Sequence, residues 1–472
     1  MAPDKTVSYA ASALAEARSQ YAKRNPESER LLQEGGKYLP GGNTRTILHV
    51  SPFPLTFASG NGARLTSVDG HEYVDFLGEY SAGLFGHSNK RIRDAVAAAM
   101  DKGWNFGGQC TYEKVLAKKM VERFGASGLE QVRFTNSGTE SNTMAIVAAI
   151  AATGRKKILV FSGGYHGGTL IFPMEYMKNP DVPTSNLPHD FVFAPYNNIA
   201  ETKQVIASLP PASLAAILLE PIQGSGGCRP ASRAFLHFVR QQASELGALL
   251  LVDEVMASRL GPNGYSATAG IRADMISYGK YIGGGMTFGA FGGRSDLMAL
   301  FDPSRFLLQH PGTYNNNIVT MAAGVEALDI FDSQAVAALN ARGARMKEAL
   351  QDVLIRHGIY RQHPEGARRN IIEVDSFQGD TTIAGNDGNA ASQEALPKMF
   401  VTGEGSMLNV RFSGPDRAEW QALFYHHMLD NNIYLAARGY TPLNLALTDA
   451  DVGNYVAAVE SFVVAHKNTL TL

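Results

Sequence analysis

The chain has 472 residues, 45% apolar and 18% charged, which excludes a disordered protein and supplies material for a large core. Lys and Arg number 42 against 44 Asp and Glu, and the net charge of −2 argues against a nucleic-acid-coating surface or a polybasic membrane anchor. Two cysteines, Cys110 and Cys228, are too few for a disulfide framework or a cysteine-rich metal site, which points to a reducing, cytoplasmic setting.

The first residues lack an apolar signal core and predict a surface helix rather than a signal peptide. The longest apolar run, Ala145–Ala152, is too short to span a membrane. After the first helix, LPGGNTRTILHVSPFPLTF predicts turns and then extended chain, and ARLTSVDGHEYVDFL a hairpin turning at Asp69-Gly70. From about residue 90 to 330, short apolar runs alternate with helical segments. Gln131–Phe134, Lys157–Phe161, Leu214–Leu219, Ala248–Val252 and Met275–Tyr278 read as buried parallel strands, and Ser232–Leu246 as one of the intervening helices. Residues 316–357 are helix-rich, Glu365–Pro397 reads as an exposed polar loop, and GSMLNVRF as a strand. Thr448–Asp451 then reads as the cap of a terminal helix. The fold class expected is α/β: a large domain with a mostly parallel sheet, at residues 76–330. A smaller α+β domain is built from both termini, 1–75 and 331–472.

The 48 glycines cluster where predicted strands end, which is where open α/β sheets bind ligands. Strand QVRF runs into Ser137, Gly138 and Thr139 at a helix start, a cup for phosphate or an ordinary capped helix. Tyr165, in GGYHGG, can lay its ring on a planar ligand or pack under a loop. Asp253 ends the apolar strand LLVD and can pair with a protonated ring nitrogen, cap a helix or join an internal salt bridge. Lys280 follows a predicted strand and precedes three glycines; it is either solvated, as most lysines are, or held at a buried strand end, where a lowered pKa makes an amine nucleophile. Phosphate cup, flat aromatic, carboxylate and lysine together match the handles of pyridoxal phosphate. The histidines His87, His166 and His310 are scattered, so no metal site is expected and His166 reads as structural.

These motifs, FTNSGTESN, FSGGYHGG, LLEPIQG, LLVDEVMASR, GKYIGGGMTFGAFGGR and HPGTYNNN, resemble those of fold-type I, class III pyridoxal-phosphate aminotransferases. RTILHVSPFPLTFASGNGARL, EYSAGLFGHS and AARGYTPLNLALTDAD are similar to the β-phenylalanine (β-amino acid) aminotransferases within that class, relatives of glutamate-1-semialdehyde aminomutase. The resemblance implies that Lys280 carries the cofactor and shuttles a proton, and that Asp253 holds the ring nitrogen. It also implies that Ser137, Gly138 and Thr139 bind phosphate, with Thr313 reaching the phosphate of a neighbouring subunit. Tyr165 stacks on one ring face, Val255 and Met256 pack on the other, and Glu220 sits near the ring oxygen. Arg45 and Arg438 match two binders of substrate carboxylate, for which the guanidinium fork is suited, although by position alone each reads equally as a surface or ion-paired arginine. Tyr80 and Phe85 would line the side-chain pocket or serve as core aromatics. The implied activity is transfer of an amino group from a β-amino acid to a keto acid such as 2-oxoglutarate by a ping-pong route, in a homodimer with shared active sites. Aminomutase chemistry is the alternative. Segment Arg368–Phe400 is longer and more polar than the family's usual one, which bears on the acceptor.

Overall fold

The computed structural model describes residues 8–179, 183–360, 371–379, 381–384 and 396–470. At its centre is a seven-stranded sheet. In chain order its strands are β1 (Gln131–Thr135), β2 (Lys157–Phe161), β3 (Asp190–Ala194), β4 (Leu214–Leu219), β5 (Leu249–Asp253), β6 (Met275–Gly279) and β7 (Gly289–Gly293). The spatial order is β1-β7-β6-β5-β4-β2-β3. Only β7 runs against its two neighbours; the remaining strands run in one direction.

Both faces of this sheet are covered, which is why its inner strands Leu214–Leu219 and Leu249–Asp253 are apolar along their length up to the terminal Asp253 rather than alternating. Leu250 and Val252 of β5 join one core cluster, while Leu249 and Leu251 join the cluster on the opposite face. Helix Gly138–Thr153 covers the second face through Ala145, Ile146, Ala148 and Ala149. Helix Arg233–Leu246 covers the first through Phe235, Leu236, Val239 and Ala243, with Ser232 as its N-cap.

Strand β7 lacked a sequence signal because glycine supplies most of it. A Cβ on Gly289 would lie 2.2 Å from the Ser137 carbonyl oxygen, and one on Gly292 2.1 Å from that of Gln131. Such contacts admit only glycine, so the strand is set by fit between neighbours rather than by apolar pattern.

The two ends of the chain meet in a second sheet. Phe57–Asn61, Arg64–Ser67 and Glu72–Asp75 form a meander, and Ile433–Tyr434 adds parallel to Glu72–Asp75. At the predicted Asp69-Gly70 turn, Asp69 also accepts from the amides of Glu27 and Ser28, which caps helix Pro26–Gly35. The first helix, Tyr9–Arg24, packs on helix Arg417–Asp430. Met399–Glu404, Met407–Phe412 and Tyr440–Pro442 form a three-stranded sheet, and the terminal helix Asp449–Leu470 starts at a reciprocal Thr448–Asp451 cap.

The expected loop at 365–397 is corrected in part. Ile372–Asp375 and Thr381–Ala384 pair as an antiparallel hairpin, while 365–370, 380 and 385–395 lie outside the described residues. Asp375 is fully buried and forms a two-pronged ion pair with Arg229, at 2.5 and 2.8 Å. A buried carboxylate needs such a partner, and it anchors the hairpin to the large sheet's flank.

Candidate active site

The carboxyl ends of the parallel strands converge on one edge of the sheet, where β1 leads to Ser137, β2 to Tyr165, β4 to Glu220, β5 to Asp253 and β6 to Lys280. This is the edge at which open α/β sheets hold ligands.

Ser137 is the N-cap of helix Gly138–Thr153, and its hydroxyl accepts from the Glu140 amide at 3.2 Å. The Thr139 hydroxyl accepts from the Gly168 amide at 3.2 Å. Each hydroxyl keeps its proton to donate, and the first helical amides have no intrahelical acceptor, so the cup favours an anion. A Cβ on Gly138 would lie 2.8 Å from Val255, which places Val255 under the helix start. A Cβ on Gly224 would lie 2.2 Å from the Met256 sulfur, so Met256 packs on that turn.

Asp253 is 5% exposed. Its Oδ2 contacts His166 Nδ1 and accepts from Asn142 Nδ2, both at 2.8 Å, and its Oδ1 accepts from the Val255 amide at 2.9 Å. Asn142 is itself locked, since its Nδ2 also donates to the His166 carbonyl and its Oδ1 accepts from Ser277 at 2.6 Å. A carboxylate oxygen takes two donors, so Oδ1 retains room for a cationic N–H. Neighbouring Glu220 is also buried and accepts from the amides of Tyr165 (2.8 Å) and Gly224 (3.1 Å). Burial, with the nearby Asp253 charge, pushes its pKa above the ordinary carboxyl range. Tyr165 is thus fixed by its backbone while its side chain stays 40% exposed.

Lys280 opens a short turn with a left-handed backbone, φ 55°. Burial lowers its pKa, opposed by the Glu79 charge and assisted by that of Arg45. A depressed amine pKa gives the unprotonated form that attacks carbonyl carbon and moves protons.

Arg45 pairs with Glu79, and its guanidinium lies 5.5 Å from the Tyr80 ring centroid. Arg438 lies 5.9 Å from the same ring and donates to the Ser225 hydroxyl at 2.9 Å. The Arg438 Nε is buried without a hydrogen-bond partner among the described residues. Two guanidiniums over one aromatic ring, one with an unmet donor, suit anionic groups. The turn that carries Glu79 and Tyr80 is strained. Glu79, Tyr80 and Ser81 all have positive φ, at 48°, 54° and 79°, each costing on the order of 1 kcal/mol or more. Asp75 holds the turn: its Oδ1 accepts from the Leu77 and Gly78 amides, and its Oδ2 pairs with His87.

Two predicted residues stand apart from this group. Phe85 is 5% exposed within the main core cluster. Thr313 is exposed on a loop whose Asn315 accepts from Asn136 at 3.1 Å, beside the cup. Asn142, Glu79 and Ser225 were not singled out from the sequence. Asn142 stands among the polar residues of the helix's first turns, Glu140, Ser141 and Thr143, so it carried no more local signal than Glu79 or Ser225.

The residues present fit pyridoxal phosphate: anion donors at Ser137 and Thr139, an exposed ring at Tyr165, acceptor capacity on buried Asp253 and a low-pKa amine at Lys280. The family description aminotransferase class-III matches residues 48–369. The chain is 44% identical over 465 residues to a β-phenylalanine transaminase of Variovorax paradoxus, covering 96% of each. It is 35% identical over 345 residues to a glutamate-1-semialdehyde 2,1-aminomutase of Nitratidesulfovibrio vulgaris, covering 70% of this chain and 80% of the other. The crystal structure of a β-phenylalanine aminotransferase from Variovorax paradoxus superposes with a TM-score of 0.86 at 41% identity, over 98% of this chain and 99% of that one. The chain belongs to the class-III aminotransferases, enzymes of the fold-type I architecture that depend on pyridoxal phosphate.

Proposed function

We propose that this aminotransferase takes the amino group of a β-amino acid and delivers it to a keto acid such as 2-oxoglutarate. The observation that carries the reading is the pair of guanidiniums, Arg45 and Arg438, gathered over the one Tyr80 ring at 5.5 and 5.9 Å, a setting suited to carboxylate. Similarity to a β-phenylalanine transaminase supports it. In this reading Ser137, Gly138 and Thr139 hold the cofactor phosphate, joined by Thr313 from a second subunit. Tyr165 covers one face of the ring, and Val255 and Met256 the other. Asp253 Oδ1 accepts the ring N–H, and Glu220 stands near the ring oxygen. Bound pyridoxal phosphate supplies an electron sink for the carbon that bears the amine.

The chain's own groups then do the rest. Arg45 and Arg438 fix the donor's carboxylate, and Tyr80 lines the side-chain pocket, while Phe85 packs in the core beneath. Lys280 Nζ takes the proton from the amine-bearing carbon and returns it along the path. The donor departs as a keto acid before the acceptor enters, a ping-pong order. The site is a homodimer's, within a division at 1–75, 76–330 and 331–472. The dimer is supported by exposed Trp104, Phe106, Phe306, Leu307 and Tyr314, 54–87% accessible. Trp104 and Tyr314 also line a cavity of about 450 Å³. We place the enzyme in the cytoplasm.

Incubation with β-phenylalanine and 2-oxoglutarate tests the assignment: glutamate and the donor's keto acid should appear in equal amounts. Product formed from an amino substrate without any keto acid would replace transfer by an aminomutase reaction.

A further inference from the structure

Arg45 and Glu79 are paired, and both side chains remain about half exposed, at 45% and 55%. Both act on the reactive amine: Glu79 is the strongest charge raising the Lys280 pKa, and Arg45 the strongest lowering it. The geometry places the pair there too: Arg45 shares the Tyr80 ring with Arg438, which donates to Ser225, the neighbour of the Gly224 whose amide Glu220 holds, so the pair borders the place where a substrate's amine and carboxylate must lie. Neither side chain is free to drift far. Arg45 lies over the Tyr80 ring, and Glu79 sits on the left-handed turn that Asp75 pins through the Leu77 and Gly78 amides.

An amino acid in water is a zwitterion with the same two charges in one molecule. We propose that the Arg45–Glu79 pair is a placeholder that the incoming amino acid replaces, its carboxylate taking the Arg45 guanidinium and its ammonium the Glu79 carboxylate. The inference rests on the carboxylate-binding reading of Arg45 given above and adds Glu79 as a specificity-determining residue. The exchange conserves net charge, so no ion is left stranded as the zwitterion enters. A half-exposed ion pair is weak in water and hence exchangeable. A simple carboxylate gains Arg45 only by displacing Glu79 without offering it a partner. A simple amine gains Glu79 only by stranding Arg45. The pair thus favours molecules that carry both groups.

The test uses holoenzyme, the Glu79→Gln and Glu79→Asp variants, and two probes. One is 3-phenylpropanoate, a carboxylate without an amine, whose dissociation constant is read by calorimetry. The other is β-phenylalanine, read by its KM and kcat. Glu79→Gln frees Arg45, so 3-phenylpropanoate should bind about fivefold tighter, the scale of one exposed ion pair. The same variant removes the ammonium's partner, so the KM for β-phenylalanine should rise several-fold while kcat changes less. Glu79→Asp should return both quantities toward the parent values. Movement of both probes in the same direction would make Glu79 a structural residue and overturn the proposal, as would no movement of either. Arg45→Gln separates the two readings. If it weakens both probes while Glu79→Gln moves neither, carboxylate binding stands and the exchange fails. If Arg45→Gln changes neither probe, the carboxylate-binding role of Arg45 fails and the exchange fails with it.

Discussion

Replacing Asp253 by asparagine tests the assignment on which the proposed chemistry turns. The substitution keeps the shape of the side chain and removes its charge. In the parent, Asp253 meets His166 Nδ1 and Asn142 Nδ2 at 2.8 Å and the Val255 amide at 2.9 Å. An asparagine has one acceptor oxygen, and its NH₂ would face a donor. Asn142 cannot turn its amide to compensate, because its oxygen is held by Ser277 at 2.6 Å and its nitrogen also donates to the His166 carbonyl. One buried donor is therefore stranded, at about 1–3 kcal/mol, and the charge-assisted bond to the ring nitrogen is lost, at about 1.5–3 kcal/mol. The stranded donor burdens the folded enzyme in ground and transition states alike, so the lost bond sets the rate effect: about 1.5–3 kcal/mol, roughly a tenfold to a hundredfold or greater loss at about 1.4 kcal/mol per tenfold. The assay is a single-turnover reaction of cofactor-saturated enzyme with β-phenylalanine, followed by the visible absorbance of the cofactor. A cofactor analogue methylated on the ring nitrogen carries its charge permanently and should recover part of the loss. Asp253→Asn enzyme that turns over at close to the parent rate would show that no charge at this position is required and would remove Asp253 from the ring nitrogen.

Gly289→Ala places a Cβ 2.2 Å from the Ser137 carbonyl and 2.3 Å from Thr135 Oγ1, which must move the phosphate cup by about 1 Å. Cofactor affinity, measured by fluorescence titration of the apoenzyme, should weaken tenfold or more. Glu220 is an acid whose folded pKa is pushed up to about 7 from 4.5. The folded chain therefore keeps a proton that the unfolded chain has released, and stability falls as pH rises through that window. Thermal midpoints of Glu220→Gln between pH 4.5 and 7 should show a shallower decline than the parent. Asp375→Ala leaves the Arg229 guanidinium buried and unpaired, which costs about 3–5 kcal/mol, whereas the double change Arg229→Met with Asp375→Leu should regain most of it. Unfolding midpoints in urea at one protein concentration check both.

What the sequence disclosed depended on how far apart the interacting residues lie along the chain. The parallel strands were legible because each is buried on both faces, and that condition writes itself into a local run such as Leu214–Leu219. The reactive groups were legible for a related reason: Asp253 and Lys280 are charged residues at the ends of apolar strands, an anomaly visible within six residues. Their support was not, because it comes from elsewhere in the chain. Asn142 and Asp253 are 111 residues apart, His166 and Asp253 are 87 apart, and neither residue is anomalous where it stands. Asp375 is the sharper case. In a polar, Gly- and Asn-rich stretch, an aspartate looks solvated, yet the hairpin carries it to Arg229, 146 residues away, and buries it completely. No local pattern distinguishes that aspartate from an exposed one, because its burial is decided by the partner rather than by its neighbours. The cost of burying a lone charge does imply a partner. Arg229 follows the glycine turn Gly226-Gly227 and is buried on a two-residue strand beside Pro230, so a carboxylate had to reach it from some other part of the chain.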